Sequence, residues 1–371
     1  MIFVRLTTAR GITWVGEIYN ATFGPDLVAA MAVDMFARPF EGADPHHIEK
    51  LWRRAYGAGF TLRPDVTVMA VLSGLEMACC DIVGKAADKP VYEFLGGKVH
   101  DRLRSYTYLY APAGDVYPDP GTPNVCNDPD IGAEVALAAV EQGLTAVKCD
   151  LAGPYTIYDG HQPRLQDLDR SERFCARIRE AVGARADLLF GTHGQVMVSG
   201  AKRLARRIEP YEPLWFEEPT TPENPADMAE ISRFTSIPLA TGERLCTQQE
   251  FARVLEAGAV SILQMNLGRV GGLLEAKKIS GMAETRQARI APHLYCGPVV
   301  AAANTQIAAN PYTGDALHLE MTPDPVTPQA LGRRDPSRLF AKSARRSPGQ
   351  TINATLRESC EPLGMVSLGA T

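Results

Sequence analysis

The sequence predicts an α/β fold in which parallel strands alternate with helices and close into a barrel. Three short apolar runs lie between residues 186 and 243, and the polar residues that end them recur at a step of 26 residues. Helix-like segments at residues 201–208 and 226–234 separate the runs. A strand, a helix and two loops fill about this length, and repeated strand–helix units form a parallel sheet.

A smaller unit precedes this repeat. Residues 2–7 and 13–19 alternate between apolar and polar side chains and predict a β-hairpin. Helical segments follow at residues 26–36, 45–58 and 66–85, and Asp26 is placed to cap the first of them. We therefore expect residues 1–103 to form a hairpin-plus-helices unit of their own.

The strand–helix pattern continues on both sides of the first three runs. Strands are predicted at residues 103–110, 145–150, 260–264 and 290–292, and helices at residues 131–142, 167–182 and 272–285. The two loops at residues 111–130 and 152–164 are long for a compact domain, and loops of that length are usually functional or disordered.

Polar side chains stand where these strands end. Alternation along the strand puts Lys148 and Asp150 on the same face. The strands that follow end in His193, Glu217, Glu243, Asn266 and His293. Chemistry in (β/α) barrels lies at the C-terminal ends of the strands, so we expect these side chains to share one site.

Composition excludes several other classes of protein. The chain has 371 residues and a formal net charge of −5, which favours neither nucleic acid nor an anionic membrane as a partner. It has no apolar run long enough to span a membrane, and its first residues lack the apolar core of a signal peptide. Eight cysteines without a CxxC pair indicate a reducing compartment, so we expect a cytoplasmic protein.

Several motifs, spread over residues 4 to 307, resemble those of one enzyme group. The sequence resembles the mandelate racemase/muconate lactonizing enzyme group of the enolase superfamily, and most of all its sugar-acid (galactonate-type) dehydratases. The motifs are Ser73-Gly74-Leu75-Glu76, Asp81-Ile82-x-Gly84-Lys85, Pro90-Val91-Tyr92-x-Phe94-Leu95-Gly96-Gly97, Lys148-x-Asp150, His193-Gly194, Phe216-Glu217-Glu218-Pro219, Gly242-Glu243, Gln264-x-Asn266 and Pro292-His293.

The resemblance implies a fold and a reaction. The fold is an N-terminal α+β capping domain (1–103) over a modified (β/α) TIM-type barrel (104–321), with residues 322–371 left as an irregular Pro/Arg-rich tail. The reaction is metal-dependent dehydration of an acid sugar, giving a 2-keto-3-deoxy acid. A lactone cycloisomerase or a racemase would use the same enediolate and stays open as an alternative. The implied partners are a small carboxylate substrate and further copies of the same chain.

The resemblance also implies roles for the strand-end residues. A divalent metal, Mg²⁺ or Mn²⁺, would be held by Glu217 and Glu243. Lys148 and His293 would be acid/base groups, and His193 an acid or a further ligand. A proton next to a carboxylate is barely acidic, and a metal with nearby cations stabilises the enediolate formed when that proton leaves.

Three positions depart from the family pattern. Gly191 stands where the third barrel strand carries a metal-binding Asp, and Asp150 replaces a second Lys. The third ligand is therefore Asp150, whose oxygen suits Mg²⁺, or His193, whose nitrogen suits Mn²⁺ or Zn²⁺, or water; we place Asp150 in the metal set. Asn266 replaces an Asp beside His293, and we expect its amide oxygen to accept a hydrogen bond from the ring N–H.

The C-terminal part departs as well. An eighth strand is expected after residue 304, but residues 311–321 look like the end of a chain. We therefore assign Glu320 no catalytic role. Together with Gly191 and Asn266, this leaves open a non-catalytic family member with a defective metal site.

Overall fold

The structure, a computed structural model, describes residues 2–19, 22–60, 62–109, 123–151 and 160–309, and the backbone of short strands at residues 318–321, 352–353 and 365–367. Most of the two long predicted loops lies outside the described residues. The described part contains a small antiparallel hairpin with helices and a larger parallel sheet.

The small unit begins with the predicted hairpin. Strands β1 (Ile2–Thr8) and β2 (Thr13–Ile18) pair antiparallel, and helices α1 (Pro25–Met35), α2 (Ile48–Tyr56) and α3 (Val66–Ala86) follow. The predicted cap at Asp26 is wrong, because Gly24 is the N-cap of α1 and its first helical residue is Pro25. Proline suits that position since the missing N–H has no intrahelical acceptor.

Helix α3 is the centre of the small unit. By length and composition it is the one helix among the described residues that could cross a membrane, but 83% of its apolar window is buried inside the protein. It packs so closely on β2 that a Cβ at Gly16 would collide with the carbonyl oxygen of Gly74. The apolar character of α3 is therefore that of a core helix.

The larger sheet confirms the TIM-type barrel architecture. It contains eight parallel strands: β3 (Arg104–Tyr108), β4 (Ala146–Asp150), β5 (Asp187–Gly191), β6 (Trp215–Glu217), β7 (Leu239–Thr241), β8 (Ile262–Leu263), β9 (Arg289–Ile290) and β10 (His318–Met321). Their spatial order is β10-β3-β4-β5-β6-β7-β8-β9. The helices are α4 (Pro129–Glu141), α5 (Leu165–Val182), α6 (Val198–Ile208), α7 (Pro225–Ser232), α8 (Thr247–Glu256), α9 (Leu273–Thr285) and α10 (Pro298–Ala308).

A separate apolar layer fills the inside of this sheet. One side chain from each of seven strand regions contributes to it, and Tyr106 meets Trp215 edge to face with ring centroids 5.3 Å apart. The layer is Tyr106, Ala146, Leu189, Trp215, Ala240, Ile262 and Ala291. Because side chains alternate along a strand, the next inward positions toward the C-terminal ends include Lys148, Glu217 and His293 of the predicted site.

The C-terminal segment adds strands to both sheets. Strand β10 pairs in parallel with β3, with Glu320 opposite Tyr106, so it takes the eighth place in the sheet. Within the tail predicted as irregular, the short strands β11 (Ile352–Asn353) and β12 (Met365–Ser367) pair with β1. The chain thus returns to the small unit instead of ending at the barrel.

Two buried carboxylates join the small unit to the barrel. Glu76 accepts hydrogen bonds from the backbone N–H of Leu273 (2.9 Å) and Leu274 (3.0 Å) at the start of α9. Glu17 accepts from the N–H of Val299 and Val300, both at 3.1 Å, at the start of α10. The first N–H groups of a helix lack intrahelical partners and lie at its positive end, so carboxylates are favourable there.

Candidate active site

The last residues of three neighbouring barrel strands form one row. Asp150 is paired in register with Gly191, and Gly191 with Glu217. A Cβ added to Gly191 would lie 3.1 Å from Oδ1 of Asp150 and 3.7 Å from Cβ of Glu217. The carboxylate of Asp150 and the base of the Glu217 side chain therefore border the same space above Gly191.

Lys148 lies directly beneath this row. Its Nζ is 2.6 Å from Oε1 of Glu217, and both side chains are almost fully buried. The other oxygen of Glu217 accepts hydrogen bonds from Nε2 of Gln264 (2.5 Å) and Nε1 of Trp215 (3.2 Å). Both oxygens of Glu217 are thus engaged by donors, as a buried charge requires.

His193 pairs with Asp150. Its Nδ1 is 3.0 Å from Oδ2 of Asp150. Burial lowers the pKa of His193, but the negative charges of Asp150 and Glu243 outweigh it and raise that pKa to about 10. Burial likewise opposes ionisation of Asp150, yet His193, the hydroxyl of Tyr108 and Lys148 leave its pKa below the usual value. The pair is therefore an imidazolium facing a carboxylate near neutral pH.

His293 lies between Asn266 and Glu243. Its Nε2 is 3.1 Å from Oε2 of Glu243, and its Nδ1 is 2.8 Å from Nδ2 of Asn266. The amide oxygen of Asn266 accepts a hydrogen bond from the backbone N–H of Gly268 at 2.8 Å. The amide nitrogen must then face the ring and donate to Nδ1. The prediction that the amide oxygen accepts from the ring N–H is wrong for this arrangement.

The charge of Glu243 is stabilised from several sides. Burial favours its neutral form, but His293, His193, Lys148 and Arg244 outweigh burial and lower the pKa of Glu243 to about 2. Both histidines of the site thus interact with this one carboxylate. Glu243 is ionised at any pH at which the enzyme would work.

Glu218 lies behind the site. It accepts hydrogen bonds from Nη2 of Arg244 (2.7 Å) and from Oγ1 of Thr241 (3.1 Å). Burial and the nearby charges of Glu243 and Glu217 raise its pKa. Glu218 and Arg244 thus brace the ends of β6 and β7.

Two further residues were missed by the reasoning from sequence. The hydroxyl of Tyr108, the last residue of β3, helps to lower the pKa of Asp150. The rule of polar strand ends could have found it, since it closes the first barrel strand. The guanidinium of Arg269 lies 3.9 Å from the ring centroid of Tyr19, and the Tyr19 ring is 6.2 Å from that of His293. Arg269 lies in a loop and has no such signal.

The oxygen donors fit a hard divalent cation, although no site is ready-made. Among the described residues, no three His, Cys, Asp or Glu side chains surround one point. Lys148 and Gln264 instead hold Glu217. Two buried carboxylate oxygens, Oδ1 of Asp150 and Oε2 of Glu243, nevertheless make no aligned hydrogen bond. Carboxylate oxygens of this kind suit Mg²⁺ or Mn²⁺ better than softer metals.

The fold and these strand-end acids and bases define a barrel enzyme with an N-terminal capping unit. The family model of the mandelate racemase/muconate lactonizing enzyme N-terminal domain matches residues 1–96, and that of the enolase C-terminal domain-like fold matches residues 130–339. The chain belongs to the mandelate racemase/muconate lactonizing enzyme group of the enolase superfamily.

Individual relatives agree with this assignment. The D-galactonate dehydratase of Variovorax paradoxus (strain S110) is 35% identical over 306 residues, which are 82% of this chain and 74% of the relative. A Labrenzia alexandrii DFL-11 structure that carries the group's name is 71% identical, with a TM-score of 0.81 over 85% of this chain and 79% of that one. The group's structure from Jannaschia sp. CCS1 is 45% identical, with a TM-score of 0.81 over 92% of each chain. The chain is an enzyme of the hydro-lyase kind.

Proposed function

We propose that this enzyme dehydrates an acid sugar, removing the proton α to the carboxylate and then the β-hydroxyl to give a 2-keto-3-deoxy acid. The observation that carries the proposal is that two histidines act on one carboxylate: His293 contacts Glu243 at 3.1 Å, and His193 helps to lower the pKa of Glu243. An elimination needs one group to take a proton and another to give one. The relatives named D-galactonate dehydratases support an acid sugar as the substrate class.

The acid in this scheme is His193. Its contact with Asp150 at 3.0 Å favours the imidazolium, which can donate a proton to the departing hydroxyl. Lys148 places a second positive charge beside the row of carboxylates. Positive charges there stabilise the enediolate that forms when the α-proton leaves.

The base in this scheme is His293, but its hydrogen bond with Asn266 favours the wrong tautomer for this role. To take the α-proton at Nε2, the ring must carry its own proton on Nδ1. The amide N–H of Asn266 faces Nδ1 at 2.8 Å and opposes that tautomer. We therefore propose that proton abstraction is slow in this chain and that Asn266 limits it.

Glu217 and Glu243 are the residues that would hold the divalent metal, Mg²⁺ or Mn²⁺. When bound, such an ion neutralises negative charge that develops on the substrate. Lys148 already contacts Oε1 of Glu217 at 2.6 Å, so a metal that takes this oxygen would displace the ammonium group. The chain's own cation and the metal thus compete for one carboxylate.

A screen of acid sugars for 2-keto acid release, with Mg²⁺ present, tests the proposal. We expect one or a few acid sugars to be turned over, and Glu217→Gln to abolish both turnover and metal binding. Interconverted isomers or lactones without 2-keto acid would indicate the racemase or cycloisomerase alternative. If the parent shows neither turnover nor metal binding, the chain is a non-catalytic member of the family. Assembly into a homo-oligomer and a cytoplasmic location stay predictions, which gel filtration and fractionation address.

A further inference from the structure

The carboxylate row at the ends of β4, β5 and β6 has a gap at its centre. We propose that Asp150 supplies the third carboxylate of the divalent-metal site, reaching from β4 into the space that a side chain on Gly191 would fill. This inference rests on the proposed function, which needs a metal at Glu217 and Glu243. Compared with the family pattern, the third carboxylate is on β4 instead of β5.

The register of the strands makes this exchange possible. Asp150, Gly191 and Glu217 are paired across three adjacent strands. Neighbouring strands lie about 4.8 Å apart, so a short acidic side chain on β4 reaches the space above its partner on β5. Oδ1 of Asp150 lies 3.1 Å from where a Cβ of residue 191 would be. The missing side chain at Gly191 and the position of Asp150 are thus complementary.

The two oxygens of Asp150 differ in their contacts. Oδ2 faces Nδ1 of His193 at 3.0 Å. Oδ1 is buried and makes no hydrogen bond, and it is the oxygen that points toward the space above Gly191. Leaving a buried acceptor unsatisfied is unfavourable, and more so for a charged group. A cation in that space would give Oδ1 a partner, and it would lie next to the side chain of Glu217, whose Cβ borders the same space.

A second role for Asp150 gives the opposite expectation. If Asp150 only orients His193, its charge matters for turnover but not for metal affinity. The substitution Asp150→Asn keeps the size of the side chain and one carbonyl oxygen while removing the charge. Metal affinity measured without substrate therefore separates a ligand from a positioning residue.

The experiment measures Mg²⁺ affinity by calorimetry and Mn²⁺ binding by electron paramagnetic resonance on the full chain. We expect Asp150→Asn and Asp150→Ala to weaken metal binding on the order of 10–100-fold. Adding Gly191→Asp to Asp150→Ala should restore most of the affinity. The double variant carries the carboxylate on β5, and it lacks Oδ1 of Asp150, which would otherwise crowd the new side chain. Asp187→Asn is the matched control: it removes an acid at the other end of β5, where Asp187 pairs with Arg104 at 2.5 Å.

The outcomes separate this inference from the proposed function. Unchanged metal affinity in Asp150→Asn, with affinity lost in Glu217→Gln, would overturn the role of Asp150 and leave the metal proposal standing. Equal affinity in the parent and in Glu217→Gln would overturn both. If Asp150→Ala fails to fold, Asp150→Asn decides the question alone, because it preserves the packing.

Discussion

Replacing Asn266 by Asp tests the most specific feature of the site. In the parent, the Asn266 amide nitrogen donates to Nδ1 of His293 at 2.8 Å, and its oxygen is held by Gly268 N–H at 2.8 Å. A carboxylate can accept from both Gly268 and a protonated Nδ1. The substitution Asn266→Asp therefore favours the tautomer that leaves Nε2 free to take a proton.

The size of the effect follows from one reversed hydrogen bond. In the parent, a proton on Nδ1 would face the amide N–H, or the amide would rotate and leave Gly268 N–H without its acceptor. Either change leaves a buried polar group unsatisfied, at a cost of about 1–3 kcal/mol. That cost corresponds to about 5- to 150-fold in an equilibrium constant. We expect Asn266→Asp to raise the rate of α-proton exchange within that range.

The pH dependence gives a second readout. A carboxylate beside the ring favours the imidazolium, and a base works only when it is unprotonated, so the acidic limb of kcat/KM against pH should move to higher pH. Metal affinity should stay as in the parent. The assay is deuterium incorporation at the substrate α-carbon across pH, with Asn224→Asp, at the exposed N-cap of α7, as the control. An unmoved acidic limb, or a slower exchange, would refute the assigned contact between Asn266 and His293.

Three further outcomes follow from the site. His293→Asn should abolish α-proton exchange while metal affinity, measured by calorimetry, stays within about twofold of the parent, because the ring is a base in the scheme and not a ligand; undiminished exchange would assign the base to Lys148. Glu217→Gln should lose Mg²⁺ binding in the same measurement, and retained affinity would misplace the metal. Lys148→Met should abolish turnover yet tighten Mg²⁺ binding by about tenfold or more, since an ammonium 2.6 Å from Glu217 no longer competes; weaker binding would refute that competition.

The strand-end residues could be predicted because two periodicities fix them. The strand–helix repeat places Glu217 and Glu243, and alternation along β4 puts Lys148 and Asp150 on one face. The sequence therefore predicted that Asn266 and His293 lie together. It could not predict the polarity of their hydrogen bond, which depends on the backbone N–H of Gly268 turning toward the amide oxygen.

Other parts of the fold could not be predicted from the sequence, for different physical reasons. The pairing of β10 with β3 joins segments more than 200 residues apart, and local pattern carries no signal for such a partner. The start of α1 was misjudged because Asp26 is a good capping residue, yet Pro25 fits only at the first helical turn and so moves the cap to Gly24. The metal ligands stay predictions. Which carboxylates share a space depends on how the side chains are oriented, and the sequence does not give that orientation.

The two carboxylates that cross from the small unit to the barrel restrict how this enzyme can be recombined. Helix α9, capped by Glu76, follows the loop of Asn266, and α10, capped by Glu17, follows His293. Losing one such cap costs about 0.5–2 kcal/mol and frees the helix start beside the site. A chimera that takes its first hundred residues from a relative should therefore keep its activity only when that relative also carries acids at positions 17 and 76.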